Sequence, residues 1–403
     1  MERKIVPVLL GADLNCYNVA RAFHESYGVK SYVLGRYAIG ATKYSRMINF
    51  KSYPDLDNPE RFVEILTDFA REHKGEDLIL MGCTDDYVSL VVHNKHLLTD
   101  YIISATEPEI LDRITLKADF YALCDRYGID YPKTVIYSKG DELDIPFDYP
   151  VIIKPSSSVL YWKYPFDGMN KVYRARSYDD AKKIIDQIYA SGYPEKLIIQ
   201  DMIPGDDSKM YTLTCYSDKD ANVRMMCLGH VLLEEHTPKG LGNHCAIITE
   251  QNDELCTKIK AFLEGIRYTG FSNFDIKFDT RDNTYRVFEI NCRQGRSNYY
   301  VTASGCSVAK AIVEDKIENK PFEGTNINNN IIYWRYIPDS IVRKYSDDKI
   351  KALITDLKSS KKAFSSMRYR YDIRFNIKHW IYVTMHEIRQ IKKFKTYYHP
   401  EKQ

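Results

Sequence analysis

The chain has 403 residues, 44% of them hydrophobic and 28% charged, with a formal net charge of +2, the profile of a globular protein of two or three packed domains. Nine cysteines, odd in number and with no C-x-x-C pair, argue against a disulfide framework and against a zinc site. No stretch approaches the roughly 18 apolar residues of a membrane span, and the opening apolar run is too short for a signal peptide, so the chain reads as cytoplasmic.

The opening pattern is strand, loop, helix, strand. Residues 4–10 are a short apolar run that stops at Gly11-Ala12-Asp13, and residues 15–27 carry Val19, Ala20, Phe23 and Tyr27 at helical spacing before Gly28. A strand over 31–34, a helix over 61–73 and a buried strand over 77–81 complete a parallel α/β unit spanning residues 1–110. That unit has no G-x-G-x-x-G after its first strand, and G-x-x-x-x-G-K-[ST] occurs nowhere, so neither a dinucleotide fingerprint nor a P-loop is expected. Gly11-Ala12-Asp13 is open to two readings: a plain strand-to-helix turn, or a helix start that holds a small anionic or amino-acid ligand.

Next come a helical stretch over 111–127, a strand over 151–154, a helix over 179–190 and a strand over 197–200. Residues 209–248 are β-rich, with 210–216 and 223–228 as paired strands. A helix over 253–268 precedes two strands, 271–278 and 285–290, joined as a hairpin by the turn at 279–283.

Three local signals carry chemistry. First, Val151-Ile152-Ile153-Lys154-Pro155 leads into Ser156-Ser157-Ser158; a lysine ending a buried strand before a small polar loop can reach phosphate oxygens. Second, Leu197-Ile198-Ile199-Gln200-Asp201-Met202-Ile203 runs into Pro204-Gly205-Asp206-Asp207. A strand opening into a linker exposes backbone groups that can read an adenine edge, and a following carboxylate can hold a ribose; alone, Pro-Gly-Asp-Asp is a turn.

The third signal is the hairpin itself. Period-2 alternation puts Glu289 and Asn291 on one face, and Asp275 can share that face from the partner strand. Two carboxylates and an amide oxygen make a hard, all-oxygen set suited to Mg²⁺ held with nucleotide phosphates. Arg293 and Arg296 follow at once and can neutralise a carboxylate and a transferring phosphoryl group. Arg224, His230 and His244 are further pocket candidates, although a lone histidine is more often packed or on the surface.

In this order the motifs Lys154-Pro, Gln200-Asp201-x-Ile203-x-Gly205-x-Asp207, Asp275 and Glu289-x-Asn291-x-Arg293 resemble the ATP-grasp superfamily. The stretches Val-Pro-Val-Leu-Leu-Gly-Ala-Asp-Leu-Asn (6–15), Tyr-Thr-Gly-Phe-Ser-Asn-Phe-Asp (268–275) and Phe-Glu-Ile-Asn-Cys-Arg-Gln-Gly-Arg-Ser (288–297) resemble bacterial D-aspartate ligases of peptidoglycan synthesis. The resemblance implies an α/β (α+β) ATP-grasp fold with a Rossmann-like pre-ATP-grasp domain over 1–110. Two α+β ATP-grasp subdomains would follow over 111–200 and 201–330, then a basic helical extension over 331–403. It implies that Lys117 and Lys154 contact ATP phosphates, with Lys171 sharing that work, that Gln200, Asp201, Met202 and Ile203 line the adenine pocket, and that Asp207 holds ribose. Asp275, Glu289 and Asn291 would ligate Mg²⁺, with Mn²⁺ as a substitute, and Arg293, Arg296 and Lys154 would act in catalysis. The implied reaction phosphorylates the side-chain carboxylate of D-aspartate and passes it to the lysine amine of a UDP-linked cell-wall precursor. The loop after Lys154 departs from the family by being serine- and aromatic-rich, with Gly168 its only glycine before Lys171. Ligation of another acid or amine, and a non-catalytic ATP-binding regulator, are the competing expectations.

Charge is unevenly placed: residues 331–403 hold 17 Lys and Arg against 7 Asp and Glu, the remainder 40 against 48. A solvated helical appendage against an acidic body is the leading expectation for this basic tail, ahead of peripheral association with an anionic membrane surface. Nucleic acid comes a distant third, and nothing in the sequence bears on oligomeric state.

Overall fold

The computed structural model describes residues 4–238 and 240–399. Two compact units emerge: one comprises Met1–Pro108, Asp206–Phe274 and Asn291–Gln403, the other Glu109–Gly205 and Asp275–Ile290. The first unit therefore collects residues from three of the four stretches expected from the sequence.

That unit opens with a parallel sheet of β1 (Ile5–Leu10), β2 (Ser31–Gly35), β3 (Ile48–Ser52), β4 (Asp77–Gly82) and β5 (Tyr101–Ile103), in the order β3-β2-β1-β4-β5. Val6, Val8, Leu9 and Leu10 are buried, as helix-covered parallel strands require. Pro7 is tolerated in this inner strand because pairing with β2 begins only at Val8. The strand order reverses at β1, and the crevice such a reversal leaves lies at the carboxyl ends of β1 and β4. There the helix Leu14–Tyr27 starts, capped by the Asp13 side chain accepting from Asn15 N–H and closed by Gly28 at φ 67°.

The second unit is built on an antiparallel sheet of β6 (Thr134–Tyr137), β7 (Val151–Pro155), β8 (Tyr173–Ala175) and β9 (Leu197–Asp201), ordered β6-β9-β7-β8. Val151, Ile153, Leu197 and Ile199 alternate inward onto Ile185 and Ile188 of the helix Tyr178–Ala190. The stretch expected as one helix over 111–127 is two, Pro108–Thr115 and Lys117–Tyr127. The Thr115 hydroxyl donates to the carbonyls of Leu111 and Asp112 in the last turn of the first helix, a back-bond that weakens a helix locally. Leu116 is then extended (ψ 111°), and Lys117 opens the second helix.

A third sheet holds β10 (Met210–Ser217), β11 (Val223–Glu235), β12 (Asn243–Glu250), β13 (Gly270–Asp279), β14 (Thr284–Asn291), β15 (Asn326–Ile327), β16 (Tyr333–Arg335) and β17 (Ala363–Ser365). Its path is β14-β13-β10-β11-β12-β16-β17, with β15 on β11. The β13–β14 hairpin is as expected, and its outer part, Asp275–Ile290, belongs to the second unit.

The C-terminal stretch corrects the picture of a solvated appendage. Its helices are present, including the 21-residue Ile377–Tyr397, but β16 and β17 extend the large sheet. Trp334 is fully buried, and Tyr333, Ile337, Val342, Val383 and Phe394 share the main core. The sequence signal was Ile-Ile-Tyr-Trp-Arg-Tyr-Ile, a β-rich run inside a basic segment that charge counting obscured.

Candidate active site

In the second unit, the inner strand β7 carries Lys154 near its C-terminal end, the helix start carries Lys117, β14 carries Glu289, and Lys171 lies just before β8. Lys117 donates to a Glu289 carboxylate oxygen at 3.2 Å. The Lys154 ammonium lies 5.9 Å from the centre of the Phe288 ring. Lys117, Lys171 and Lys154 all act electrostatically on Glu289, Lys117 most strongly, and pull its carboxyl down to about 2. Lys154 is pulled down to about 7, first by burial and then by repulsion from Lys117 and Lys171, with Glu289 opposing. Three lysines thus share one carboxylate, and Lys154 sheds part of its charge near neutral pH, an arrangement that an entering polyanion would relieve.

β9 supplies the neighbouring wall. Gln200 is buried, and its amide donates to the hydroxyls of Tyr121 (2.9 Å) and Thr134 (2.8 Å), which fixes the strand against the helix Lys117–Tyr127. The Asp201 carboxylate is held by both terminal nitrogens of Arg281, at 3.1 and 2.6 Å. Asp201 is therefore committed to a protein partner, and its N–H already donates to the Lys133 carbonyl at 2.9 Å, so only Met202 and Ile203 of this run lie past the end of the paired strand. Lys277 donates to the Gly205 carbonyl at 2.7 Å and steadies the same linker. The loop after Lys154 gains rigidity from tyrosines instead of glycines: Tyr161 is buried, bonds the Tyr173 hydroxyl at 2.7 Å and packs edge-on to Tyr193.

The first unit holds a different group at the carboxyl ends of β1 and β4. Arg293 is paired with Asp85 at 2.8 Å, at the first turn of the helix Asp85–Asn94. It also reaches the Asn291 amide oxygen at 3.4 Å, while the Asn291 amide nitrogen donates to the Asn273 carbonyl. Arg296 lies 3.9 Å from Asp13 and 4.9 Å from the centre of the Tyr336 ring. Burial raises the Asp13 carboxyl, while Arg296, Arg293 and the N–H groups of Asn15 and Cys16 offset part of the rise. The Asn15 side chain donates to the Cys83 and Gln294 carbonyls, and Asn298 donates to Asn15, so the loop of Arg293 and Arg296 is fastened to the start of the first helix. The Gly-Ala-Asp turn is thereby the arginines' partner.

Asp207 is buried, accepting from the Glu234 N–H at 2.8 Å and pairing with His236 at 2.9 Å. Burial opposes the charge on His236, and Asp207 outweighs it and raises the histidine's pKa. A ribose at Asp207 would have to share it with these partners. The other pocket candidates are tied into the fold: Arg224 to Asp218 (2.7 Å), His230 to Glu250 (2.8 Å), and His244 to Glu234 (3.4 Å).

Sequence reasoning missed Tyr121, Thr134, Arg281 and Asp85, which act by holding named site residues. Arg281 sat in a turn and Asp85 in an unassigned stretch, and neither had a local motif to mark it. Among the described residues no group of three His, Cys, Asp or Glu side chains could hold a metal ion. The donor set expected for Mg²⁺ has only two carboxylates, with an amide as third member. Those residues fit a hard cation chemically: Glu289 is kept ionised, and the Asn291 amide is turned with its nitrogen toward a carbonyl, which presents its oxygen as the acceptor.

No family model matches the chain. Among solved structures it is similar to the L-amino acid ligase from Bacillus licheniformis (TM-score 0.55, 12% identity, 78% of this chain and 75% of that one). It is also similar to an N5-carboxyaminoimidazole ribonucleotide synthetase in complex with ADP (TM-score 0.58, 14% identity, 83% and 82%). The fold is the ATP-grasp fold. At the level of sequence it is 36% identical to the D-aspartate ligase of Enterococcus faecium (strain Aus0004), over 99% of this chain and 98% of that protein. The chain belongs to the D-aspartate ligase family of ATP-dependent carbon–nitrogen ligases.

Proposed function

We propose that the protein activates the side-chain carboxylate of D-aspartate with ATP and joins it to the lysine amine of a UDP-MurNAc-pentapeptide in peptidoglycan synthesis, in the cytoplasm. The observation that carries the ATP-dependent part is the cluster of Lys117, Lys154 and Lys171 around the single carboxylate of Glu289. The near full-length relative supports the acid, since its name specifies D-aspartate. The proposed working segments are a pre-ATP-grasp domain over 1–110 and ATP-grasp subdomains over 111–200 and 201–330, with 331–403 packed into the main core.

A carboxylate is a poor electrophile. Its oxygen attacks the terminal phosphorus of ATP, ADP leaves, and the acyl phosphate formed is then attacked by the amine nitrogen. Phosphate departs with the C–O bond electrons, and the amine gives up a proton as the amide forms. Such transfer needs positioning and charge neutralisation more than acid–base work. Lys117, Lys154 and Lys171 are proposed to hold phosphate oxygens, and the backbone of 202–203 to hold the base, with Asp207 at the ribose. Asp275, Glu289 and Asn291 would hold Mg²⁺, or Mn²⁺ in its place. That ion would supply charge neutralisation at the phosphates, and Glu289 would exchange part of its pairing with Lys117 for it. Arg293 and Arg296 would receive the acid's carboxylates in place of Asp85 and Asp13, whose oxygens make the same kind of contact.

The test is ADP release from the purified protein with Mg²⁺ and ATP, offering D-aspartate or L-aspartate, each with and without the lysine-containing pentapeptide. ADP release that requires both D-aspartate and the peptide, with a product of matching mass, supports the proposal. Release with another acid retains the ligase and discards D-aspartate, and release with none overturns the catalytic reading.

A further inference from the structure

The helix Ile377–Tyr397 has two unlike faces. One is packed into the first unit through His379, Val383, Gln390 and Phe394. On the other, Ile377, Trp380, Ile381, Met385, Ile388 and Ile391 are all exposed, Ile377 by 73%. Their spacing keeps them on one stripe about four turns long. Together with Phe375, these make seven of the 19 large apolar side chains exposed among the described residues. Scattered apolar exposure needs no explanation, but this concentration on one helix face does.

Charge frames the stripe. Arg374, Lys378, Arg389, Lys392 and Lys395 are exposed, and Lys393 pairs with Glu235 at 2.7 Å. The helix's sole acid, Glu387, is held by Arg368 at 2.7 and 2.5 Å. Just before the helix, Phe375 sits at φ 62° and is 86% exposed. That is a strained conformation for a bulky residue, and packing within the fold does not repay it.

We infer that this face lies flat on an anionic lipid bilayer, with the isoleucines, Met385 and Trp380 in the acyl boundary and the basic side chains at the headgroups. The helix is long enough to follow the surface, yet no helix among the described residues is long and apolar enough to cross a membrane. The combination of an apolar stripe with basic flanks is the one that binds in the plane of the interface, where lysine and arginine stems cover apolar surface and their charges reach phosphate. A second copy of this chain is a poorer occupant. A self-contact over the stripe would bring its basic flanks against each other, and this helix exposes no acid to answer them. The inference rests on the surface of this helix alone and is independent of the substrates proposed above.

Flotation of the full chain with vesicles tests it. Vesicles containing phosphatidylglycerol should bind at least about tenfold more protein than pure phosphatidylcholine vesicles, with the difference shrinking as salt rises from about 0.1 M to about 1 M. The combined variants Trp380→Ser/Ile381→Ser/Ile388→Ser and Lys378→Glu/Arg389→Glu/Lys392→Glu should each lose about tenfold or more of that binding while keeping ADP release in solution. In a Trp162→Phe background, brominated phospholipid should quench fluorescence, and Trp380→Phe should abolish the quenching. Absence of binding to anionic vesicles at low salt would overturn the inference. So would a dimer in sedimentation velocity that the apolar substitutions dissolve, since the second copy would then be the occupant. ADP release in the same samples reports separately on the ligase.

Discussion

The lysine group and the arginine group make opposite use of charge. Around Glu289 three lysines share one carboxylate, and the protein alone relieves the excess by lowering Lys154 to about 7. Around Arg293 and Arg296 the charges balance, since Asp85 and Asp13 answer the guanidiniums one for one. An unbalanced cluster gains energy from any polyanion that enters. A balanced one gains only by exchange, which demands a ligand carboxylate better placed than the resident one. The first arrangement therefore suits tight capture of a phosphate chain, and the second suits discrimination among small acids.

The largest test of that contrast is Glu289→Gln. It leaves three like charges without their partner and removes a proposed metal donor, and ADP release should fall about a thousandfold. Circular dichroism and gel filtration should stay native; unchanged turnover would break the assignment of this group to the chemistry. Next in size, Lys154→Met and Arg293→Ala should each cost about a hundredfold in kcat/KM, on the order of 3 kcal/mol. The two should differ in which substrate suffers: the lysine variant raises the KM for ATP, and the arginine variant raises that for the acid. Identical effects on both KM values would erase the division of labour.

A smaller effect concerns proton linkage. Lys154 is held down to about 7, below its ordinary 10.5, so it loses its charge as pH rises through about 7 while an unfolded lysine keeps it to 10.5. Its burial therefore burdens the folded state most below pH 7, and the burden lifts between pH 7 and 10.5. A bound triphosphate favours the charged form, so ATP binding at pH 8 should take up close to one proton, and affinity should weaken as pH rises above 7. Titration calorimetry in buffers of different ionisation heat reads this directly, and Lys154→Met should remove the uptake. Smallest is Asp85→Asn, which frees Arg293 from its resident carboxylate. The KM for the acid should drop about threefold with that for ATP unchanged, and stability should move by about 1 kcal/mol, since the Asp85 side of the pair is exposed.

Much of the fold was legible because local pattern encodes it. The strands over 4–10, 31–34 and 77–81, the helices over 15–27 and 61–73 and the β13–β14 hairpin follow from apolar period and turn chemistry, and their bounds agree with the structure to within a few residues, whereas β3, β5 and the helix Asp85–Asn94 lie outside those readings. The exception over 111–127 is a break at Leu116, whose backbone turns extended between two helices, a change of conformation that apolar periodicity does not register. The tail was misjudged because net charge was weighed above the short apolar run that becomes β16.

By itself the sequence determined which residue types are present and in what order: a lysine ending a buried strand, a carboxylate-x-amide pair on one face of a strand, and arginines directly after it. These are local facts, set by the two-residue period of a strand and by adjacency. Only the tertiary structure decided what each side chain faces. Lys117 and Glu289 are 172 residues apart, Arg293 and Asp85 are 208 apart, and Asp201 is captured by Arg281 from 80 residues away. Such pairings depend on which strands neighbour one another, and strand order is settled by burying the whole apolar surface at once, not by any short stretch of chain.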